Sequence, residues 1–360
     1  MVDLPEIRFA KAAGSSIAYE VYGDGPATIC AVPPMAQNIE LAWGSPRIRR
    51  MFERYASFSR QVVFDKRGTG MSDRSLDIPA LDERVDELSA VMDAAGVDSA
   101  FVHGLSEGGP MAIMFAATYP DRVEGLILEG TAAALTSDER RAEMRDPEQL
   151  ARIAESWQPF VEGWGTSDSV TLALFAPSLL ADEEFAAWWP TYERHAASRD
   201  ALMDLLYMNS EMDARGVVGR VECPVLIIHR TGDRIVPIEQ ARRTFELFDE
   251  AGADVRLVEV PGDDHYTFAG DLEPIADAIE RFTTGRVAPR VPRPDHEIVI
   301  STMGRFEVAV DEQPVRTSSW GSKRARTLLK RLVAARGWPV TRDELFELLW
   351  PGDDSDRLGA

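Results

Sequence analysis

FVHGLSEGGPMA, residues 101–112, is the stretch on which the fold turns. A short apolar run from Ala100 to Gly104 enters Gly104-Leu105-Ser106-Glu107-Gly108, and Gly109 then leads into a helix-forming stretch, Pro110 to Tyr119. Gly-x-Ser-x-Gly between a strand and a helix is the pattern of a nucleophile elbow. Its glycines permit a tight turn with the helix packed close on the strand, and this lifts the serine hydroxyl to the helix amino terminus. Free N–H groups and the helix dipole there can stabilise an oxyanion. A plain glycine-rich bend fits the same five letters, so a base and an acid must come from elsewhere in the chain.

An elbow serine takes its partners in the order Ser, Asp, His. CPVLIIHRTGDRIVP, residues 223–237, ends a strand and sets Asp233 on the following loop, 127 residues after Ser106. VRLVEVPGDDHYTF, residues 255–268, ends the next strand and sets His265 on its loop, a further 32 residues on. Each candidate lies just past a strand's carboxyl end, where a shared site requires it. His265 would accept the Ser106 proton as general base, and Asp233 would fix its tautomer and stabilise the imidazolium. The other histidines fit less well: His103 and His229 sit inside strands, His195 in a helical insertion and His296 in a linker. Asp263 and Asp264 adjoin His265 in sequence and are poorly placed to orient its ring. Glu129, after an earlier strand, is the alternative acid to Asp233.

The chain has 360 residues, 45% of them apolar, enough for a large core. Its formal net charge of -21 disfavours nucleic acid or an anionic membrane as partner of the whole chain. That charge is uneven, because residues 286–360 hold 13 Lys+Arg against 11 Asp+Glu. Cys30 and Cys223 both lie in apolar runs, which reads as two buried thiols in a reducing compartment. No CxxC or HxxxH spacing suggests a metal, no Walker-type loop suggests a nucleotide, and no cofactor is expected. The opening MVDLPEIRFA lacks the pattern of a secretion signal and no window has the apolar length of a membrane span, so a cytoplasmic location is expected.

Strands are expected at Ser16–Tyr22, Thr28–Val32, Gln61–Asp65, Ala100–Gly104, Val123–Leu128, Pro224–His229 and Val255–Val260. Helices are expected at Leu81–Ala95, Pro110–Tyr119, Ile238–Ala251 and Glu273–Phe282. Their alternation predicts an α/β fold with a mostly parallel sheet covered on both faces. Between Gly130 and Val221 the alternation stops. This insertion is helical and aromatic, and Trp157, Trp164, Trp188 and Trp189 within it are candidates for lining a substrate pocket, although most such rings serve only to join short helices. The expected organisation is a core over 1–131, a helical cap over 132–218, the rest of the core over 219–285, a proline- and arginine-rich linker over 286–296, and a second unit over 297–360.

With these motifs in hand, residues 5–285 resemble a serine-type α/β-hydrolase. The segment Asp65-x-Arg67-Gly68-x-Gly70-x-Ser72 also matches that family's habit and reads as a structural turn bracing the sheet. More narrowly, ELAWGSP, FDKRGTGMSDR and SEGGPMAIMFAATYPDRVEGLIL are similar to hydrolase-like domains fused to nucleotide cyclases or transcriptional regulators. The resemblance implies an oxyanion hole made by the backbone N–H groups of Met35 and Glu107. Where the family commonly has His-Gly, this chain has Pro33-Pro34, and proline carries no N–H. Glu107 is a second departure, because a carboxylate beside a forming oxyanion opposes it unless the side chain turns away, and the expectation is that it turns toward the cap.

Serine as nucleophile, where aspartate would suggest opening of an epoxide or haloalkane, points to acyl transfer to water. An aromatic, uncharged cap favours a small-molecule ester or thioester with an apolar acyl or aryl group. Residues 303–354 resemble the amino-terminal half of an OmpR-type winged-helix domain, in which Lys323, Arg324, Arg326, Lys330 and Arg331 either meet phosphates or simply solvate a helix face. The base-reading helix would follow Pro351, where the sequence runs only through an acidic DDSD to Ala360, so DNA is the less favoured partner. The alternative function is a ligand-sensing hydrolase-like domain of a truncated winged-helix regulator with weak DNA binding. A homo-oligomer stays open.

Overall fold

The computed structural model describes residues 4–74, 81–288, 298–302, 305–310, 313–316, 319–335 and 340–351. The chain forms two compact units, Met1–Ala288 and Pro289–Ala360. Most of the proline-rich linker lies outside the described residues.

The first unit is built on eight strands: β1 (Arg8–Ala12), β2 (Ser15–Tyr22), β3 (Ala27–Val32), β4 (Ser59–Phe64), β5 (Ala100–Leu105), β6 (Val123–Glu129), β7 (Val225–Arg230) and β8 (Val255–Val260). They form one sheet in the order β1-β2-β4-β3-β5-β6-β7-β8, in which β2 alone runs against the rest. The central strands read ATICAV, AFVHGL, VEGLILE and VLIIHR and are buried on both faces, as a covered parallel sheet requires. A fold of this kind gathers its functional loops at the carboxyl ends of the strands.

The covering helices are α1 (Ile39–Ala42), α2 (Pro46–Ala56), α3 (Leu81–Ala94) and α4 (Gly108–Thr118). Between β6 and β7 come α5 (Asp138–Met144), α6 (Pro147–Gly163), α7 (Thr171–Phe175), α8 (Glu183–Ala196) and α9 (Arg199–Glu211), and α10 (Ile238–Glu250) and α11 (Glu273–Thr284) complete the unit. Four of the five inserted helices, α6 to α9, share a core with the sheet. Trp164, Phe185, Trp189 and Tyr192 pack in one cluster with Tyr22, Trp43 and Phe52.

Strand β1 and helix α2 are among the elements that were not expected from the sequence. Strand β1, RFAKA, buries only Ala10 and Ala12, so its apolar signal is carried by two alanines among charged neighbours. Helix α2, PRIRRMFERYA, is masked by its arginines. It nevertheless buries Ile48, Phe52, Tyr55 and Ala56 on one face, with Ser45 as its N-cap and Pro46 in the first turn. Cys30 is buried as expected, whereas Cys223 is only half-buried.

The second unit has an antiparallel sheet, β9 (Ile298–Ser301), β10 (Glu307–Val310) and β11 (Gln313–Pro314), in the order β11-β10-β9. Helices α12 (Lys323–Ala334) and α13 (Arg342–Leu349) follow, the latter capped by Thr341, whose Oγ1 accepts from Glu344 N at 3.2 Å. Four of the five basic side chains singled out above have partners inside the unit. Arg324 lies over Trp350, Arg326 and Lys330 lie over Phe306, and Arg331 pairs with Glu344 at 2.8 Å. Among the described residues no helix is long and apolar enough to cross a membrane.

Two buried carboxyls brace the sheet. Asp65, in the turn after β4, accepts from Met71 N at 2.8 Å and Ile39 N at 3.2 Å, and Ser72 Oγ links Asp65 O to Ala18 N. Glu20, on β2, accepts from Trp43 Nε1 at 2.9 Å. Burial pushes Glu20 up to about 8 and Asp65 up to about 7, although their hydrogen bonds oppose it. A carboxyl raised on folding binds more protons in the native than in the unfolded state between its two pKa values, so its stabilising effect is complete below the unfolded value and lost as pH rises through the folded one. We therefore expect the unfolding midpoint of Glu20→Gln, relative to the natural chain, to climb by roughly 5 °C between about pH 5 and about pH 8 in thermal melts. A constant difference across that range would show that Glu20 titrates like a solvated carboxylate.

Candidate active site

Ser106 is placed by what its neighbours lack. Its φ is +50°, a left-handed conformation unusual for a residue with a side chain. A Cβ on Gly104 would come within 2.8 Å of Gly109 Cα and Ala112 Cβ, and one on Gly108 within 2.7 Å of Pro33 O, so the tight approach of α4 to β5 and to the loop after β3 depends on both glycines. The turn is tied at both ends by Ser106 N donating to Glu129 O at 2.9 Å and Gly109 N donating to Ser106 O at 3.0 Å.

Three loops at the carboxyl edge of the sheet bring the expected side chains together. Ser106 Oγ lies 2.7 Å from His265 Nε2, and His265 Nδ1 lies 2.7 Å from Asp233 Oδ2. The second oxygen of Asp233 accepts from Ile235 N at 2.8 Å and Val236 N at 3.1 Å. Burial alone would push the Asp233 carboxyl up, but the His265 hydrogen bond and charge and these two N–H groups together hold it below the ordinary carboxylate range. The loop carrying His265 is pinned by Arg230, a buried side chain that donates to the carbonyls of Asp264, Tyr266, Thr267 and Ala269. From the insertion, Phe175 O accepts from His265 N at 2.7 Å and Tyr266 N at 3.1 Å. Neither Arg230 nor Phe175 stood out in sequence, since both act through long-range backbone contacts.

The alternative residues are engaged elsewhere. Glu129 pairs with His103 Nε2 at 2.9 Å and accepts from Thr267 Oγ1. Burial pushes the Glu129 carboxyl up, and these bonds with the nearby Arg230 charge outweigh it, leaving the group below its usual range. His229 Nε2 donates to Val236 O at 2.6 Å and stands 3.7 Å from Asp233. His195 bonds to Thr191 O within α8, and Asp264 accepts from Ser178 N.

Beside the elbow, Pro33, Pro34, Leu105 and Thr267 form part of the wall of a largely apolar cavity. Of the four candidate tryptophans, Trp189 lines it. The other three lie elsewhere: Trp157 packs edge-on against Tyr207, Trp164 is buried with its Nε1 donating to Ala197 O, and Trp188 lines a separate cleft with Pro46 and Arg47. Alternating large rings along one helix face opposite sides of it, so their type alone could not separate pocket from packing. Among the described residues the backbone N–H groups of Met35 and Glu107 donate to no backbone carbonyl.

The side chain of Glu107 does turn away from Ser106, into a cluster of charges behind the elbow. Its carboxylate pairs with Lys66 and, at 3.3 Å, with Arg84, and both cations are buried. Asn209 of α9, with its amide nitrogen facing the carboxylate, donates to Glu107 at 3.0 Å. Glu87 and Arg67 extend the cluster at 3.1 Å, so three cations face two carboxylates. Burial pulls the Lys66 ammonium down to about 8 against the pull of Glu107. Removing one member leaves a buried charge unpaired. Lys66→Met and Glu107→Gln are each expected to lose about 3 kcal/mol in urea unfolding, with the double variant losing at least about 1 kcal/mol less than their sum. Strict additivity would deny the coupling.

Comparison with known proteins agrees with this architecture. The family model described as alpha/beta hydrolase fold matches residues 60–271. A relative from Azorhizobium caulinodans, provisionally named carbamate hydrolase RutD, is 25% identical over 261 residues, covering 70% of this chain and 89% of that protein. The pimeloyl-[acyl-carrier protein] methyl ester esterase of Chromobacterium violaceum is 28% identical over 167 residues, 46% of this chain and 63% of that protein. The structure of the esterase EaEST from Exiguobacterium antarcticum superposes with a TM-score of 0.60 at 20% identity, covering 76% of this chain and 98% of that one. With more than half its length matched by the family model, the chain belongs to the α/β-hydrolase fold family and is an enzyme of that family.

Proposed function

We propose that this chain is a serine hydrolase that cleaves carboxylic ester or thioester bonds of substrates with an apolar acyl or aryl group. The observation that carries the reading is the continuous run of hydrogen bonds from Ser106 Oγ through His265 to Asp233, with both links at 2.7 Å. Ser106 Oγ attacks the carbonyl carbon while His265 Nε2 takes its proton, and the carbonyl electron pair moves to oxygen. The N–H groups of Met35 and Glu107 are the proposed donors to that oxyanion, at the amino terminus of α4. Collapse expels the alcohol or thiol, protonated by His265, and leaves an acyl group on Ser106. Water then enters, gives its proton to His265, and the acid departs as Ser106 regains its hydrogen.

Asp233 stays ionised throughout and stabilises the imidazolium, in keeping with a carboxyl held below its ordinary range. In this reading residues 132–218 serve as the cap, and the Lys66–Arg84 pair keeps the Glu107 carboxylate from opposing the oxyanion. The apolar cavity wall supports an apolar acyl or aryl group, and the names of the relatives include an esterase acting on a methyl ester.

A fluorophosphonate probe should label the natural chain and not Ser106→Ala. Hydrolysis of p-nitrophenyl esters should fall by about 10⁴-fold or more in Ser106→Ala, and by a comparable factor in Asp233→Asn. Undiminished turnover in Ser106→Ala would remove the serine from the reaction.

A further inference from the structure

The wall of the apolar cavity includes a tyrosine whose buried hydroxyl, among the described residues, has no hydrogen-bond partner. Besides the wall next to the elbow, its lining includes Tyr55 from α2, Gln61 from β4 and His103 from β5. Tyr55 is 5% exposed, and among the described residues its Oη has no hydrogen-bond partner. A buried phenol normally finds one, because leaving the hydroxyl unpaired is costly. Its neighbours are already committed. His103 Nε2 is bonded to Glu129 at 2.9 Å and Gln61 Nε2 to Ser59 Oγ at 2.7 Å, while the Tyr55 ring stands edge-on to His103 at 6.3 Å.

The rest of the lining restricts what could meet that hydroxyl. Among the described residues no Lys, Arg, Asp or Glu lines the cavity, so a charged ligand group would be buried there without a counter-charge. Rings from Trp189, Tyr192, Tyr266 and Phe268 suit a hydrocarbon or aryl body. We propose that Tyr55 Oη is a specificity-determining donor for a neutral oxygen, a ketone or hydroxyl, carried on the apolar part of the substrate at a distance from the bond that is cleaved. The subsite deepens the ester-hydrolase reading and rests on it for the identity of that substrate.

The test uses 2-octanone against 2-methyl-1-octene, which have the same shape with CH₂ in place of the oxygen. Binding to the full-length Ser106→Ala protein is followed by tryptophan fluorescence, since Trp189 lines the cavity. The affinity of the ketone relative to that of the alkene is expected to fall about tenfold when Tyr55→Phe is added, the value of one neutral hydrogen bond. A ratio of the two affinities that Tyr55→Phe leaves unchanged overturns the proposal. The unfolding midpoint of Tyr55→Phe alone should equal or exceed that of the natural chain, because the lost hydroxyl had no partner. A lower midpoint shows that the hydroxyl is already satisfied and likewise overturns it. p-Nitrophenyl esters of plain and oxo-substituted alkanoic acids separate the two readings. Ester cleavage without a Tyr55-dependent preference leaves the hydrolase standing and sinks the subsite, and a Tyr55-dependent preference without cleavage does the reverse.

Discussion

The geometry of the site depends on one local constraint, the left-handed turn at Ser106. A positive φ at a residue with a side chain costs about 1–2 kcal/mol, and here it is enforced by the packing around it. Helix α4 can approach β5 closely only because positions 104 and 108 carry no Cβ, and that approach leaves residue 106 no other path between strand and helix. The consequence is chemical. The hydroxyl is set at the amino terminus of an almost wholly buried helix, where N–H groups point outward and few conformations compete.

A fixed serine is of use only if the imidazole is held as firmly, and His265 sits on a loop with little regular structure. Arg230 compensates by spreading its guanidinium over several carbonyls of that loop from beneath, which orders the backbone without touching the ring. From above, Phe175 O receives the N–H groups of His265 and Tyr266. The ring is thus positioned by the sheet on one side and by the inserted helices on the other. Through Phe175 O, α7 is tied directly to the backbone of His265.

The sequence reveals much of this because the central strands are runs of Val, Ile and Leu, and because the elbow and the two strand-end loops carry residue types with specific chemistry. What it conceals has common physical causes. Strand β1 and helix α2 bury narrow faces among charged residues, so their periodicity is weak against the background. The partners of Glu107 come from positions 66 and 84, far apart in sequence, and a lysine inside an Asp-x-Arg-Gly turn gives no sign that it is buried. Tryptophans at 157, 164, 188 and 189 look alike in sequence, and only the rotation of each helix decides which ring meets the cavity.

Glu107 shows why an apparently adverse residue can be compatible with a site of this kind. Its backbone belongs to the elbow, while its side chain belongs to the cation-rich cluster behind it, so one residue joins the two. A carboxylate buried alone at this point would lose hydration and gain nothing, and Lys66 or Arg84 buried alone would do the same. Together they form a paired group whose desolvation is offset, with an excess of positive charge on the inner side of the turn. Substituting either partner singly should therefore disturb the elbow more than replacing the pair with apolar residues of similar size. The interaction is a property of the pair, and a reading of position 107 by itself finds only the repulsion.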